Sequence, residues 1–392
     1  VWELGHNSAL VIHLTLVPYL KSAGELKTKP TQHSVRDLSQ EGVLPDILVC
    51  RTEHPLPPEL RKKIALFCNV QINSVIEAMD AETIYDVPLL MKREKLDERV
   101  MSKLKLTPNA KIDLEPWKAF LGKLKNPTSE VKIGLVGKYV ELKDAYKSIV
   151  ESFVHAGAMN ECKVKISWTK AEDLADGDLD LLKGLDGILV APGFGERGFE
   201  GKINAIRYAR ENKIPFFGIC LGMQVATIEY ARHVAGLPGA NSTEFEPDTP
   251  HPVIALITEW KDADGKVQTR HANSDLGGTM RLGEQASNVA PHTLAHHIYG
   301  DHVSERHRHR YEANVNYLDQ LRHAGLVISA LTQREQLTEI VELPQAVHPW
   351  YMGVQFHPEF KSTPWDSHPL FIAFVRAALA YQTERKKLKV VA

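Results

Sequence analysis

The stretch that decides the fold is Pro215-Phe216-Phe217-Gly218-Ile219-Cys220-Leu221-Gly222-Met223-Gln224. An apolar run typical of a buried strand ends in Gly-x-Cys-x-Gly, and a helical pattern follows. The pattern predicts a tight turn with Cys220 at its tip, and glycines at 218 and 222 where a side chain would not fit. The start of the helix places partial positive charge near the sulfur, which favours a thiolate nucleophile. The remaining cysteines are predicted to be buried structural residues: Cys50, Cys68 and Cys162.

A thiolate nucleophile needs a base, and the base needs a group that orients it. Residues 351–356 are predicted to form a strand, His357 stands where the strand ends, and Glu359 follows two residues later. A short turn could return the Glu359 carboxylate to the imidazole. The chain has 18 histidines, but His-Pro-Glu at the end of an apolar strand is far more specific than a single histidine. Cys220, His357 and Glu359 are therefore predicted to form a catalytic triad.

A third strand ends in a glycine-rich loop at residues 189–198. Such a loop can present a backbone N–H beside a nucleophile, and Gly193 is the candidate. The N–H of Leu221 is the second donor expected to bind an oxyanion. A phosphate cradle is the competing interpretation. It is the weaker one, because the chain contains no Gly-x4-Gly-Lys-Ser/Thr pattern.

Alternating strand and helix patterns predict an α/β domain over residues 131–392, with a parallel sheet covered by helices on both faces. Residues 1–104 form a separate region, and residues 105–130 are predicted to be a linker that could contain one short helix around Trp117, Phe120 and Leu121. The predicted strands are 9–20, 44–50, 63–70, 131–136, 164–168, 187–190, 215–219 and 351–356. The predicted helices are 86–104, 144–156, 203–211 and 369–383, followed by a fraying basic tail.

Composition excludes several classes of protein. The 392 residues are 43% hydrophobic and 24% charged, which is typical of globular domains, and the net charge of −2 does not point to nucleic acid or an anionic membrane surface. Four cysteines without a CxxC pair predict neither a disulfide scaffold nor a zinc site, and favour the cytoplasm. The first apolar run is too short to span a membrane and lacks the features of a signal peptide. Because it begins close to Val1, we expect the chain to be a fragment.

The glycine loop, the cysteine turn and the late His-x-Glu together resemble class I glutamine amidotransferases. Longer segments resemble the CTP synthase family, namely residues 26–34, 63–70, 241–245, 274–283 and 305–312. The resemblance runs from about residue 9 to about residue 380. It implies a glutaminase domain preceded by the carboxyl-terminal part of a P-loop-type α/β synthetase domain. It also implies that glutamine supplies ammonia, ATP activates UTP, and amination gives CTP.

The resemblance also assigns binding residues. The positions implied for glutamine are Gly193, Leu221, Gly222, Met223, Gln224, Glu244 and Arg310. The positions implied for the UTP or CTP triphosphate are Lys27, Thr28, Lys29, Pro30, Thr31, Gln32 and Lys63. Tyr139 and Lys147 match the region linked to activation by GTP. Without the resemblance, residues 306–310 would equally indicate a solvated basic loop, and the lysines near residue 27 a surface turn.

The family's phosphate loop and its acidic Mg²⁺ ligands are not found in this sequence. The resemblance still implies ATP and Mg²⁺, inhibition by the product CTP, a homotetramer and a cytoplasmic location, with no nucleic acid or membrane partner. We expect this stretch alone to perform only the glutaminase half of the reaction. The alternative hypothesis is a regulatory module that senses nucleotides through an amidotransferase domain and has no ligase activity. An intact triad favours an enzyme.

Overall fold

A computed structural model describes residues 8–107, 112–256, 259–261, 267–269, 280–334 and 336–391, with no side-chain description at 259–261, 267–269 and 388–391. Part of the matched segment 274–283 therefore lies outside the described residues. The chain divides into two compact units, Val1–Leu114 and Glu115–Ala392. The boundary falls inside the predicted linker.

The first unit contains a three-stranded parallel sheet of order β1-β4-β5. It also contains a small hairpin of β2 and β3, which follow β1 in the chain. Its elements in chain order are β1 (Ile12–Leu16), β2 (Tyr19–Leu20), β3 (Glu25–Leu26), α1 (Lys29–Gln40), β4 (Ile47–Thr52), α2 (Pro58–Phe67), β5 (Val75–Met79), α3 (Val87–Arg93) and α4 (Leu96–Lys103). β4 is the central strand, and five of its six residues are buried.

Three predictions for this unit are wrong in detail. The single strand predicted at 9–20 is two strands, β1 and β2, which belong to different sheets. The strand predicted at 63–70 is helix α2 and the turn that ends it. Its buried positions, Ile64, Ala65 and Cys68, follow a helical spacing, while Leu66 and Phe67 are 79% and 63% exposed. The single helix predicted at 86–104 is two helices, because Lys95 adopts a left-handed conformation with φ 60°.

The second unit contains a nine-stranded sheet of order β15-β14-β17-β18-β19-β9-β8-β6-β7. Its elements before the irregular region are α5 (Glu115–Lys125), β6 (Ser129–Gly137), α6 (Lys147–Met159), β7 (Cys162–Lys170), β8 (Gly187–Val190), α7 (Phe199–Glu211), β9 (Phe216–Ile219) and α8 (Leu221–His233). The later elements are β10 (Ala240–Ser242), β11 (His251–Leu256), β12 (Glu259–Lys261), β13 (Val267–Thr269), β14 (Arg281–Val289), α9 (Leu294–Tyr299), β15 (His302–His309), β16 (Tyr311–Ala313), α10 (Leu318–His323), β17 (Val327–Thr332), β18 (Thr338–Glu342), β19 (Tyr351–Val354) and α11 (Pro369–Val391).

The α/β class is confirmed, and the sheet is parallel where the candidate site lies. Strands β19, β9, β8, β6 and β7 are parallel, whereas β18, β17, β14 and β15 extend the sheet in antiparallel pairings. Every residue of β8, β9 and β19 is buried, as expected for strands covered on both faces. Adjacent residues Phe216 and Phe217 belong to different core clusters, one formed with α7 and α8, the other with α6 and α11.

The helix anticipated in the linker is α5, whose Trp117, Phe120 and Leu121 are buried. Since α5 packs on α6, the second compact unit begins before residue 131. Helix α11 continues through the tail that was expected to fray. No helix in the described part of the chain has the length and apolar character needed to cross a bilayer.

Candidate active site

Cys220 occupies a strained turn between β9 and α8. Its φ is 52° and its ψ is −105°, a conformation that residues other than glycine rarely adopt. Its N–H donates a hydrogen bond to the carbonyl of Val354 at 2.7 Å, which ties the turn to the end of β19. The turn therefore presents the thiol at the carboxyl edge of the parallel strands, where ligands bind in open α/β sheets.

The glycines beside Cys220 are required by the packing of this turn. A Cβ at position 222 would lie 2.3 Å from the carbonyl oxygen of Val190, on the neighbouring strand. A Cβ at position 218 would lie 2.7 Å from the backbone of Gly222. Both distances are far below an ordinary van der Waals contact, and both meet backbone that cannot move aside. The predicted reason for the two glycines is confirmed.

His357 and Glu359 lie shortly after the end of β19, where His357 caps a short 3-10 helix, Pro358–Phe360, that contains Glu359. Nδ1 of His357 and Oε1 of Glu359 are 2.8 Å apart, and both residues are buried. The His357 N–H donates to the carbonyl of Arg306 at 2.8 Å, which anchors the turn to β15. The imidazole also stacks on Phe360, with ring centroids 4.9 Å apart and an interplanar angle of 8°. The ring is thus fixed on one side by a carboxylate and on one face by an aromatic ring.

The protonation of His357 follows from its neighbours. Burial would lower the pKa of the imidazole, but the Cys220 sulfur and the Glu359 carboxylate raise it to about 10. Nε2 is buried and has no conventional hydrogen-bond partner among the described residues. At neutral pH His357 is therefore an imidazolium beside the sulfur of Cys220. Hydrogen bonds between catalytic groups, such as one between His357 Nε2 and the Cys220 sulfur, are often long without substrate and shorten when substrate binds.

A buried amide chain orients a donor toward the sulfur. Gln224 Nε2 donates to the carbonyl of Tyr311 at 2.8 Å and to Oε1 of Gln355 at 3.2 Å. Gln355 in turn points Nε2 toward Cys220 Sγ at 3.8 Å. The side chain of Gln224, a position predicted to bind glutamine, holds Gln355 in this arrangement. The sequence analysis missed Gln355, although its position two residues before His357 is a usable signal.

The sulfur of Cys220 faces a cavity of about 290 Å³. Side chains and backbone from three of the predicted motifs line it, together with residues from the segment before α6. The lining residues are Tyr139, Ala145, Tyr146, Ser148, Ile149, Pro192, Gly193, Phe194, Cys220, Arg308, His357, Glu359 and Phe360.

The segments that carry the two candidate oxyanion donors, Gly193 and Leu221, are in contact. A Cβ at Gly193 would be 3.7 Å from the Cδ2 atom of Leu221, so the glycine loop abuts the start of α8. The N–H of Leu221 belongs to the first residue of the helix and has no acceptor within it. The loop is held by Lys138, whose Nζ donates to the carbonyls of Phe194 and Gly195 at 2.5 and 3.3 Å.

The charged residues assigned to glutamine also converge. Glu244 Oε1 accepts a hydrogen bond from the N–H of Gly195 at 2.8 Å. Nε of Arg310 is buried and has no hydrogen bond among the described residues. Both residues interact electrostatically with Tyr311, since burial and Glu244 raise the pKa of that phenol and Arg310 lowers it. A carboxylate and a guanidinium are thus placed around one tyrosine.

Gly222 and Met223, which the resemblance implies for glutamine binding, are packing residues in this structure. Gly222 contacts the backbone of β8, and Met223 is fully buried against Gly353 of β19. Neither lines the cavity. They hold α8 against the sheet.

The residues assigned to UTP or CTP lie in the first unit, at the start of α1 and on α2. Lys27 forms an ion pair with Glu25, and both Lys27 and Lys63 lower the pKa of that carboxyl, so the two lysines share one neighbourhood. Lys29 and Pro30 are exposed. Gln32 Nε2 donates to Thr28 Oγ1 at 3.0 Å. Thr31 is buried and donates to the carbonyl of Leu16 at 3.0 Å, which indicates a structural role.

The two residues that the resemblance links to GTP, Tyr139 and Lys147, lie in different surroundings. Tyr139 is 48% exposed at the cavity rim, beneath the guanidinium of Arg197 at 5.2 Å. Lys147 forms an ion pair with Glu151 at 2.7 Å and does not line the cavity.

The sequence analysis missed three further charged residues around the site: Lys138, Lys202 and Arg308. The guanidinium of Arg308 lies 5.9 Å from the ring of Phe194 at the cavity rim. In the described ranges, no group of three or more His, Cys, Asp or Glu side chains is arranged to hold a metal ion.

Comparisons with known proteins agree with this geometry. The family model for class I glutamine amidotransferases matches residues 141–377, and the model for the CTP synthase N-terminus matches residues 1–106. CTP synthase of Cytophaga hutchinsonii is 61% identical over 387 residues, which make up 98% of this chain and 70% of that protein. A solved structure, the glutaminase domain of Trypanosoma brucei CTPS with bound acivicin, is 39% identical and covers 64% of this chain and 94% of its own, with a TM-score of 0.57. The chain therefore belongs to the CTP synthase family, whose members are glutamine-hydrolysing ligases.

Proposed function

We propose that Cys220, His357 and Glu359 hydrolyse glutamine and that the ammonia is used to aminate UTP. The observation that carries the proposal is the Cys220 thiol at the tip of its turn, facing a cavity that His357 and Glu359 also line. The trypanosomal relative that was solved with acivicin, a glutamine analogue, supports the choice of substrate.

In the first step the thiolate of Cys220 adds to the carbonyl carbon of the glutamine amide. A C–S bond forms and the carbonyl π pair moves to oxygen, where the N–H groups of Gly193 and Leu221 are placed to stabilise it. The His357 imidazolium gives its proton to the leaving nitrogen, so that ammonia departs and a thioester remains. Water activated by the neutral imidazole then hydrolyses the thioester and regenerates the thiol. Glu359 keeps the imidazole oriented throughout.

The ends of the substrate match the two converging charges. The α-ammonium group suits the carboxylate of Glu244, and the α-carboxylate suits the forked guanidinium of Arg310. An unpaired buried Nε on Arg310 is a donor still available for that carboxylate.

The proposed nucleotide partners are UTP, ATP, the product and inhibitor CTP, and the effector GTP. In the first unit, Lys27 and Lys63 supply positive charge for the triphosphate of UTP or of the inhibitor CTP, near the amino-terminal end of α1. Tyr139 at the cavity rim is the better placed of the two residues proposed to respond to GTP. The family uses ATP and Mg²⁺. In the part of the chain that the structure describes, no group of three or more His, Cys, Asp or Glu side chains is placed to hold Mg²⁺. A homotetramer and a cytoplasmic location complete the proposal, and the four free cysteines suit a reducing compartment.

A matched pair of assays tests the assignment. In a protein that carries the complete synthetase domain, Cys220→Ala should abolish CTP formation from glutamine while formation from free ammonia continues, because only the sulfur is lost. The control is Cys162→Ala, which alters a buried cysteine outside the cavity and should keep both activities. Loss of both activities in a folded Cys220→Ala protein would contradict the proposal. Retention of both would contradict it too, whereas no CTP formation from either nitrogen source in the unmodified protein would favour a nucleotide-sensing module.

A further inference from the structure

Lys202 is a buried lysine that the reaction described above does not use. It lies on α7 and is 1% exposed, although lysine is almost never fully buried without a partner. Among the described residues its Nζ makes no hydrogen bond or ion pair. An uncompensated buried ammonium is costly, so its presence needs an explanation.

The position of Lys202 Nζ explains why this lysine is buried. A Cβ at Gly193 would lie 4.0 Å from Lys202 Nζ, so the ammonium is directly beneath the glycine loop that carries a candidate oxyanion donor. Charged groups face it from four surrounding segments. Lys138 follows β6 and repels the ammonium, whereas Glu172 after β7, Cys220 at the start of α8 and Glu244 after β10 favour it.

We propose that Lys202 is a positioning residue for glutamine hydrolysis, whose buried ammonium supports the Gly193 loop and electrostatically favours the negative charge on the Cys220 thiolate and on the tetrahedral oxyanion. Lys202 transfers no proton. The C–S bond forms and the π pair moves to oxygen as before, and the positive charge makes both anionic states less costly in a site that excludes water. The inference rests on the proposed glutaminase function, which Cys220→Ala tests separately.

The protonation state of Lys202 gives the proposal a distinctive pH dependence. Burial and the neighbouring Lys138 lower the pKa of this amine to about 8, against the opposing effect of the three acidic neighbours. The ammonium is therefore present below about pH 8 and is lost above it. Because the pKa of Lys202 is lower in the folded state than in the unfolded state, the charge costs stability, and this cost grows as the pH falls from about 10.4 and is complete below about pH 8.

The test compares Lys202→Met, which keeps the shape of the side chain and removes its charge, with Lys183→Met, which alters a lysine that is 68% exposed and outside the site. Glutaminase kcat and KM are measured from pH 6 to 9.5, together with the thermal midpoint at pH 7. We expect Lys202→Met to lower kcat about tenfold or more at pH 7 with little change in KM, to remove the decline of kcat near pH 8, and to raise the thermal midpoint. Lys183→Met should match the unmodified protein.

A purely structural role predicts a different pattern, a lower thermal midpoint and an unchanged pH profile. Either that pattern or an unchanged kcat in Lys202→Met would overturn the proposal. If Lys202→Met does not fold, the dependence of kcat on pH in the unmodified protein still tests the proposal. If kcat of the unmodified protein is constant between pH 7 and 9, the proposal is wrong.

Discussion

Gly222→Ala is the substitution whose effect the structure defines most sharply. The new methyl carbon would lie 2.3 Å from the carbonyl oxygen of Val190 and 3.2 Å from its carbonyl carbon. The atoms it meets are backbone of the fully buried strand β8, so relief requires α8 to move away from the sheet. Overpacking of a core costs about 1–3 kcal/mol, and we expect about 3 kcal/mol here because no flexible side chain can give way.

The same movement displaces the nucleophile. Cys220 lies between β9 and α8, and its N–H donates a hydrogen bond to the carbonyl of Val354 at 2.7 Å. A shift of α8 that relieves the contact between the new methyl group and Val190 therefore rotates the sulfur within the cavity. A misplacement of about 1 Å at a reacting centre can reduce turnover roughly 100-fold. Gly222→Ala should therefore lose both stability and glutaminase kcat.

Gly122→Ala is the matched control. Gly122 lies in the exposed part of helix α5, and a Cβ there meets nothing within 4 Å. Alanine in place of glycine in a helix should stabilise the protein by about 0.5–1 kcal/mol and leave turnover unchanged. The assay is urea unfolding with glutaminase kinetics on the same samples. If Gly222→Ala matches the unmodified protein in both, the packing of the cysteine turn described above is wrong.

Two further substitutions test the rest of the site. In urea unfolding, Glu359→Gln should destabilise the protein most near pH 6 and least near pH 10. The reason is that the raised pKa of His357 gives a stabilisation that is complete below about pH 6.5 and is lost as the pH rises through about 10. A loss of stability that does not vary with pH would contradict the coupling between Glu359 and His357. Arg310→Met should raise KM for glutamine roughly 10–100-fold through loss of a charge-assisted hydrogen bond, with a smaller effect on kcat. Arg322→Met, on the exposed side of α10, serves as its control, and equal KM values for the two variants would refute the assignment.

The cysteine turn and the triad were predictable because their signals are local. Glycines on both sides of Cys220 and the His-Pro-Glu sequence after an apolar strand each specify a backbone geometry within a few residues. The convergence of the two motifs then follows from the parallel order of β19, β9 and β8, since strand ends of a parallel sheet share one edge. The prediction for 63–70 failed because a short apolar run does not distinguish a buried strand from a helix.

The antiparallel half of the sheet was not predictable from periodicity. In β15, buried Glu305, His307 and His309 alternate with exposed Arg306 and Arg308. The alternation has the period of a strand, but both faces are polar, so hydrophobicity gives no signal.

The buried side of β15 explains this unusual pattern. His307 Nδ1 and His309 Nε2 are 3.0 Å apart, and burial lowers the pKa of His307 to about 3. Arg281 pairs with Glu312 and Glu339 at 2.9 Å in the same layer. Polar groups that satisfy one another only in the folded chain cannot be paired from sequence alone. Lys202 was missed for the same reason, since a lysine in a helical pattern is expected on the surface.

The central claim is that Cys220 is the nucleophile. Its most direct test is mass spectrometry of the folded protein after reaction with acivicin, the compound bound in the trypanosomal domain. We expect one adduct, on Cys220, and none on the other three cysteines, because burial raises the pKa of Cys50 to about 12 and of Cys68 to about 11 and also raises the pKa of Cys162. An adduct on Cys162, or a folded protein that is never modified at Cys220, would contradict the account.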